Sequence, residues 1–171
     1  MNALREPDET IISAEIERAR RPFGKTIAPL GPLRRSLQEI MWDDVGVMRT
    51  EAGLKRGLRG VSETATNLLD IGVDDSALAF NLTWHDWLNM ASLTEISEVI
   101  TEAALARENS RGAHYREDFP EEGDLDSSYF TVAQKVGDDL KVTREAVQFT
   151  IVKPGETILP DGEPETLVAA E

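Results

Sequence analysis

The chain has 171 residues, no cysteine and a formal net charge of −14. Its length allows one domain with a modest extra element and a core that needs no disulfides, and the missing cysteines exclude thiolate nucleophiles and cysteine-ligated metals. The negative charge argues against nucleic acid or an anionic membrane as a partner. The chain shows no signal peptide and no apolar run of the ~20 residues that span a bilayer, which predicts a cytoplasmic protein without direct membrane insertion.

The first 30 residues are expected to form a lead-in segment, 1–30. The stretch DETIISAEIERARR within it has only weak helical periodicity. It is followed by four residues that interrupt helices: Pro22, Gly24, Pro29 and Pro32.

The next three segments carry apolar residues at three- and four-residue spacing, which predicts helices over 32–45, 50–71 and 83–109. The third predicted helix is the longest and has the broadest apolar face. Ile96 and Ile100 belong to that face, so both side chains are expected to be buried.

Residues typical of helix starts precede each of these segments. Pro32 suits a first helical position, and Thr50 is a good N-cap for the second helix. Thr83 and Asp86 have the spacing of a capping box at the start of the third. Glycines recur in the second segment, and they either loosen that helix or let a neighbour pack closely; they are Gly53, Gly57 and Gly60.

After Pro120 the apolar pattern changes from helical to alternating, which predicts a β-hairpin within 127–152. The fold class is therefore mainly α: a three-helix antiparallel, spectrin-repeat-like bundle over 31–126. The β-hairpin is expected to pack on that bundle as a unit over 127–155. An irregular C-terminal tail, 156–171, rich in proline, glycine and glutamate, completes the chain.

One possible catalytic arrangement lies after the third predicted helix. Ser110, His114 and Asp118 are spaced four residues apart, as a nucleophile, base and acid would be on one helical face. Gly112 and Pro120 make an unbroken helix there improbable, and the sequence offers no oxyanion hole. A hydrolase is therefore disfavoured.

No other pattern in the sequence predicts a catalytic, cofactor-binding or metal-binding residue. His85 is interpreted as a surface residue at a helix start rather than a ligand. The stretch EEGDLDSS lacks the glycine and closing glutamate of a calcium loop. The sequence contains neither G-x-G-x-x-G after a strand nor a phosphate-binding G-x-x-x-x-G-K-[ST] motif.

The stretch SRGAHYREDFPE has two interpretations. Gly112 is expected to end the third helix with a positive φ, and Arg116 and Asp118 are close enough to pair, so the stretch could be a charged helix terminus locked by its own ion pairs. The alternative is a rigid docking surface for another protein, in which Arg116 is exposed and Asp118 orients the segment by accepting hydrogen bonds. The candidate docking residues are Arg111, His114, Tyr115, Arg116 and Asp118.

Four stretches in this order resemble a known family: LRRSLQEIMWDDVGVMRTEAGL, Asn81 before the third helix, AALARENSRGAHYREDFPEEGD and VQFTIVKPG. Together they resemble the C-terminal helical domain of the flavoprotein subunit of succinate dehydrogenase and fumarate reductase, over residues 30–155. L-Aspartate oxidases share the arrangement. Ala113 and the REDFP ending favour the dehydrogenase and reductase branch.

In that family the flavin-binding and capping domains come first and carry the FAD and the catalytic histidine and arginines, and none of those motifs is present here. The resemblance therefore implies a non-catalytic domain, inactive alone, that docks on a flavin-binding module absent from this chain. The chain would be an excised fragment or a separate polypeptide. FAD is expected in the partner and not in this chain.

Further candidate partners are an iron–sulfur subunit, partner subunits that associate with a membrane and, for the isolated chain, a second copy. The alternative function is a stand-alone helical interaction or assembly protein that reuses this domain.

Overall fold

The computed structural model describes residues 6–74, 76–137 and 139–157. Its helices are α1 (Glu9–Arg20), α2 (Leu30–Asp43), α3 (Glu51–Leu69) and α4 (Leu82–Ala106). Its strands are β1 (Met48–Arg49), β2 (Tyr115–Arg116), β3 (Tyr129–Val136) and β4 (Asp139–Ala146).

The mainly α class is confirmed, whereas the three-helix spectrin-repeat-like bundle is not. The expected lead-in segment forms a helix of its own, α1, so the described residues hold four helices. Asp8 caps α1 by accepting the backbone N–H of Thr10, although none of the α1 side chains is buried. Most of the expected tail, from residue 158 onward, lies outside the described residues.

Side-chain caps set the starts of α3 and α4. Thr50 caps α3 as predicted, because its hydroxyl accepts a backbone N–H from the first turn. The capping box predicted at Thr83 is wrong. Asn81 caps α4 instead, accepting the backbone N–H of Trp84 at 2.9 Å, and the Thr83 hydroxyl donates to Asn81. Asn81 reaches the cap because the helix begins one residue earlier, at Leu82.

The core lies where α2, α3 and α4 meet. Trp87, near the start of α4, donates from its indole nitrogen to the carbonyl of Leu68 at the end of α3. Gly57, in the first half of α3, lies beside Thr101 near the end of α4. These contacts show that α3 and α4 run in opposite directions. The larger buried cluster consists of Leu37, Val61, Leu68, Val73, Trp87 and Met90.

The expectation that Ile96 and Ile100 are buried is wrong, because both side chains are about half exposed. The buried face of α4 carries Thr94, Ser97 and Thr101 instead. Each of their hydroxyls donates to the carbonyl four residues earlier, at 2.6–2.8 Å. These internal hydrogen bonds allow small polar side chains to be buried without an unsatisfied group. Apolar periodicity alone therefore misplaces the middle of the buried face, although Trp87 and Ala104 at its two ends are buried as predicted.

The predicted hairpin is confirmed. Strands β3 and β4 pair antiparallel from Tyr129↔Ala146 to Val136↔Asp139. The ring of Tyr129 lies between two guanidinium groups, those of Arg107 after α4 and Arg144 on β4, at 5.1 and 4.8 Å. Arg144 also donates to the carbonyl of Ala106. The hairpin therefore contacts the end of α4.

The α3 glycines allow a close approach of neighbouring elements. A Cβ on Gly57 would lie 2.7 Å from Cγ2 of the buried Val45, and a Cβ on Gly60 would lie 2.8 Å from Cδ1 of Ile40. Of the two interpretations of these glycines, close packing of a neighbour is the one that the contacts support.

We expect Gly57→Ala to lower the free energy of unfolding by about 1–3 kcal/mol, since the short, branched Val45 side chain must shift. This cost outweighs the gain in helix propensity of up to ~1 kcal/mol. Gly31→Ala is the matched control, because Gly31 lies in α2 with no atom within 4 Å of its added Cβ, and it should be neutral or stabilising. Urea unfolding of both variants measures the difference; equal effects would contradict the close packing.

Candidate functional site

The SRGAHYREDFPE segment begins with a tight turn. Helix α4 ends at Ala106, three residues before the predicted end. Arg111 and His114 exchange backbone hydrogen bonds of 2.9 and 3.0 Å around Gly112. Gly112 has the predicted positive φ, +56°, but its predicted role as the residue that ends the helix is wrong, because it belongs to this later turn.

The carbonyls at the end of α4 are satisfied by Arg116 instead. Its Nη1 donates to the carbonyl oxygens of Ala104, Leu105 and Arg107 at 3.0, 3.2 and 3.1 Å. The expectation that Arg116 is exposed is wrong, because its side chain is only 1% exposed. A buried cation is favourable here, since it lies at the negative end of the α4 dipole.

Asp118 completes the charge pair. Its two carboxylate oxygens accept from Nε and Nη2 of Arg116 at 2.7 and 2.8 Å, a bidentate geometry. Oδ2 also accepts the backbone N–H of Glu51, the first residue of α3, at 2.8 Å. The expectation that Asp118 accepts hydrogen bonds from an arginine is confirmed. The Arg116 guanidinium, together with the Glu51 N–H, holds the pKa of Asp118 well below its usual range.

The Arg116–Asp118 pair therefore joins two helix ends. Its cation lies on the carbonyls that end α4, and its carboxylate lies on the first N–H of α3, so each charge opposes the helix dipole that it meets. Strand pairing supports the same junction, because β1 and β2 align in parallel with Arg49 opposite Arg116. The backbone N–H of Glu117 also donates to the Arg49 carbonyl.

The structure does not bring Ser110, His114 and Asp118 together as a catalytic set. The Ser110 hydroxyl donates to the carbonyl of Phe119 at 2.7 Å and accepts the backbone N–H of Arg116. His114 contacts Arg49, and Asp118 is held by the guanidinium described above. Each of the three side chains thus has another partner, and the segment has no nucleophile–base contact.

The ring of His114 is held as a neutral imidazole. Nη1 of Arg49 lies 2.7 Å from Nδ1 of His114, and a guanidinium can only donate, so Nδ1 accepts and the proton resides on Nε2. Nε2 is buried. Burial lowers the pKa of His114, and the positive charges of Arg49 and Arg107 lower it further.

Arg111 holds the acidic stretch that follows. Its guanidinium donates to the carbonyls of Glu122 and Asp124 and to the hydroxyl of Ser128, at 2.6–2.9 Å. Of the five candidate docking residues, Tyr115 therefore presents the most side-chain surface without an internal polar contact.

Sequence analysis missed Arg49 as part of this site. The available signal was a shared pattern, since VMR and HYR both place an arginine after a large apolar or aromatic residue.

The described residues contain no group of three histidine, aspartate or glutamate side chains placed to hold a metal ion. None of the helices in the described ranges is long and apolar enough to cross a membrane.

Comparisons with known proteins agree with the sequence resemblance. A family model described as "Fumarate reductase flavoprotein C-term" matches residues 34–159. A fumarate reductase (CoM/CoB) subunit of Methanothermobacter marburgensis is 36% identical over 89 residues, which is 52% of this chain and 16% of that protein. The succinate dehydrogenase flavoprotein subunit of Rickettsia felis is 32% identical over 125 residues, which is 70% of this chain and 21% of that protein.

An L-aspartate oxidase of Yersinia pestis is also similar, at 34% identity over 86 residues, 50% of this chain and 15% of that protein. Among solved structures, the Sdh1 complex of Mycobacterium smegmatis in the apo form superposes with a TM-score of 0.78 at 25% identity, covering 89% of this chain and 26% of that one. A quinol-fumarate reductase with menaquinol molecules shares the fold, with a TM-score of 0.78 at 20% identity, over 90% of this chain and 27% of that one. The chain thus spans roughly a sixth to a quarter of the length of the relatives that it matches.

We expect Arg116→Ala to lower the free energy of unfolding by about 3 kcal/mol or more. The change leaves the carbonyls at the end of α4 without a hydrogen-bond donor and leaves Asp118 without its cation. Urea unfolding at neutral pH measures the loss. Arg18→Ala is the matched control: Arg18 forms an ion pair with Glu15 in which both side chains are about half exposed, so the loss should stay below ~1 kcal/mol. A similar small loss for both variants would show that the pair does not hold the helix ends.

A second prediction concerns pH. The pKa of His114 is lower in the folded chain than the ~6.5 expected when unfolded. As the pH falls, His114 is therefore protonated in the unfolded chain before it is protonated in the folded chain. The contribution of neutral His114 to the free energy of unfolding is fully present above about pH 7 and declines as the pH falls through 6.5 towards the lower folded pKa. His114→Asn keeps an acceptor for Arg49 and removes the titration, so it should flatten this decline. Urea midpoints between about pH 7.5 and 5 test it, and an unchanged slope would contradict it.

Proposed function

The chain belongs to the family of fumarate reductase flavoprotein C-terminal domains, and from that premise we propose that it docks on the flavin-bearing region of a succinate dehydrogenase- or fumarate reductase-type oxidoreductase. The observation that carries the proposal is the extent of the match. The family model spans residues 34–159, which includes most of α2 and all of α3, α4, the SRGAHYREDFPE segment and the hairpin. The matched relatives are several times longer than this chain.

The proposed domain supplies no catalytic group of its own. The two arginines of the segment are engaged with a helix end and with backbone carbonyls, Arg116 at the end of α4 and Arg111 on the acidic stretch. The proposed domain also binds no FAD of its own. Gly57 and Gly60 lie inside α3 against Val45 and Ile40, rather than in a turn that directs a helix N-terminus at a pyrophosphate. In this proposal FAD is bound by the flavin-bearing region, and oxidoreductase activity requires both parts.

The segment contributes to docking by being rigid. The Arg116–Asp118 pair and the Ser110 hydroxyl hold its backbone from both sides, so little conformational freedom remains to be lost when a partner binds. Tyr115 lies exposed on the outer face of this segment, whereas Arg111 and His114 help to fix it through the acidic stretch and through Arg49. Arg116 and Asp118 act by orienting it rather than by extensive contact with the partner.

The same proposal includes three further parts: assembly with an iron–sulfur subunit, location in the cytoplasm, and association with a membrane through partner subunits. The Mycobacterium smegmatis relative supports the assembly part of this proposal, since it is an Sdh1 complex. A stand-alone interaction protein would bind no flavin-bearing region, so one experiment separates the two functions.

That experiment is co-expression of the chain with the flavin-bearing polypeptide from the same genome. We expect a stable complex with flavin in stoichiometric amount, and no flavin absorbance from the chain expressed alone. Purification through a tag on this chain, followed by an absorbance spectrum, measures both. An unrelated acidic helical domain of similar size, carrying the same tag, is the control. If the flavin-bearing polypeptide is folded and yellow but does not copurify, the docking function is refuted.

A further inference from the structure

Four exposed apolar side chains come from the end of α2, from the chain that enters and forms β1, and from β2, the strand that carries Arg116. Their exposed fractions are 82% for Trp42, 66% for Val47, 65% for Met48 and 39% for Tyr115. We refer to these four residues as the apolar platform. Trp42 is in the last turn of α2, Val47 and Met48 follow it closely, and Tyr115 comes from β2, beyond α4.

The short sheet of β1 and β2 brings the two parts of the platform together. The strands pair in parallel with Met48 opposite Tyr115 and Arg49 opposite Arg116. Because successive side chains of a strand point to opposite faces, the two arginines share one face and Met48 and Tyr115 share the other. Arg116 is buried while Met48 and Tyr115 are exposed, so the outer face of this sheet is apolar.

The platform is held rigidly from beneath. Arg49 donates to the carbonyl of Val45 and to His114, which fixes β1 to the turn before β2. The chain also turns tightly after α2, since a Cβ on Gly46 would lie only 2.5 Å from the carbonyl oxygen of Trp42. A fixed backbone that exposes tryptophan, tyrosine and methionine has the composition of an interface centre, where these residue types are enriched.

We propose that the apolar platform is the surface against which the flavin-bearing region of the same flavoprotein packs. This inference rests on the proposed function and assigns its contact. Two exposed carboxylates adjoin the platform, Asp43 beside Trp42 and Glu117 after β2, and neither forms an ion pair among the described residues. The complementary surface is therefore apolar at its centre, with lysine or arginine at its rim.

Area and charge favour this occupant over a second copy. Large side chains offer ~150–250 Å² each, so the exposed parts of these four amount to roughly 500 Å². That fits one side of an interface between domains of one chain, which buries about 600–1,500 Å² in total. It falls short of the ~800 Å² per partner that two copies joined through the platform alone would need, whereas in the proposed function the flavin-bearing region also contacts other parts of the SRGAHYREDFPE segment. Two copies would also bring together net charges of −14 each and place the acidic rims against each other.

The test compares two variants in the complex with the flavin-bearing polypeptide from the same genome. The double variant Trp42→Ser, Met48→Ser should weaken binding about tenfold or more. Phe80→Ser is the matched control, because Phe80 is a fully exposed aromatic residue. It lies just before the start of α4, whereas the platform lies near the end of that helix. The 25 residues of α4 separate the two ends by ~37 Å. It should bind like the wild type. Circular dichroism and thermal midpoints should be unchanged for both variants.

The outcomes are separable. If the wild-type chain binds and the double variant binds within twofold of it, the platform is not the contact, and the docking function stands. If the wild-type chain does not bind at all, both proposals fall. Photo-crosslinking from Met48→p-benzoylphenylalanine covers the case in which the double variant does not fold. Crosslinks to the flavin-bearing polypeptide support the platform, and crosslinks only to a second copy overturn it.

Discussion

An ion pair between the buried Arg116 and Asp118 joins the end of one helix to the start of another, and the rest of this domain depends on it. A buried arginine is costly unless its donors are satisfied and its charge is balanced. Here three carbonyls of the α4 terminus accept from the guanidinium, and Asp118 balances its charge. The carboxylate then accepts the first N–H of α3. Two helix ends that are distant in sequence are thus satisfied by one pair of side chains.

This arrangement explains why a segment dense in reactive residue types performs no chemistry by itself. Ser110 forms hydrogen bonds with backbone groups, and His114 is held neutral by Arg49. Arg111 donates hydrogen bonds to two backbone carbonyls of the acidic stretch. The result is a rigid corner whose inner face is charged and buried and whose outer face is apolar and exposed. Such a corner is suited to positioning a second domain, because its geometry does not change when the partner arrives.

The helices beneath this corner are packed closely by small residues. Gly57 and Gly60 let α3 approach Val45 and Ile40, and the buried hydroxyls of α4 bond to their own helix. Larger side chains at Gly57 and Gly60 would displace Val45 and Ile40, and with them α2 and the chain that leads into β1. Larger side chains on the buried face of α4 would displace that helix from α3, whose first N–H Asp118 accepts. Close helix packing and the terminal ion pair therefore support each other.

The sequence by itself determined the mainly helical class, the hairpin, the family and the positive φ of Gly112, since these depend on local patterns: apolar periodicity, alternation, a motif and a glycine. It also placed Asp118 as an acceptor for an arginine, because the two residues are near neighbours in the chain. Only the tertiary structure decided which residues are buried in the middle of α4, because hydroxyls that bond internally lie there in place of apolar residues such as Ile100. Only the tertiary structure could bury Arg116 and bring Arg49 to His114, because these contacts join residues up to 65 positions apart. Their energies come from helix dipoles and desolvation, which no local pattern records.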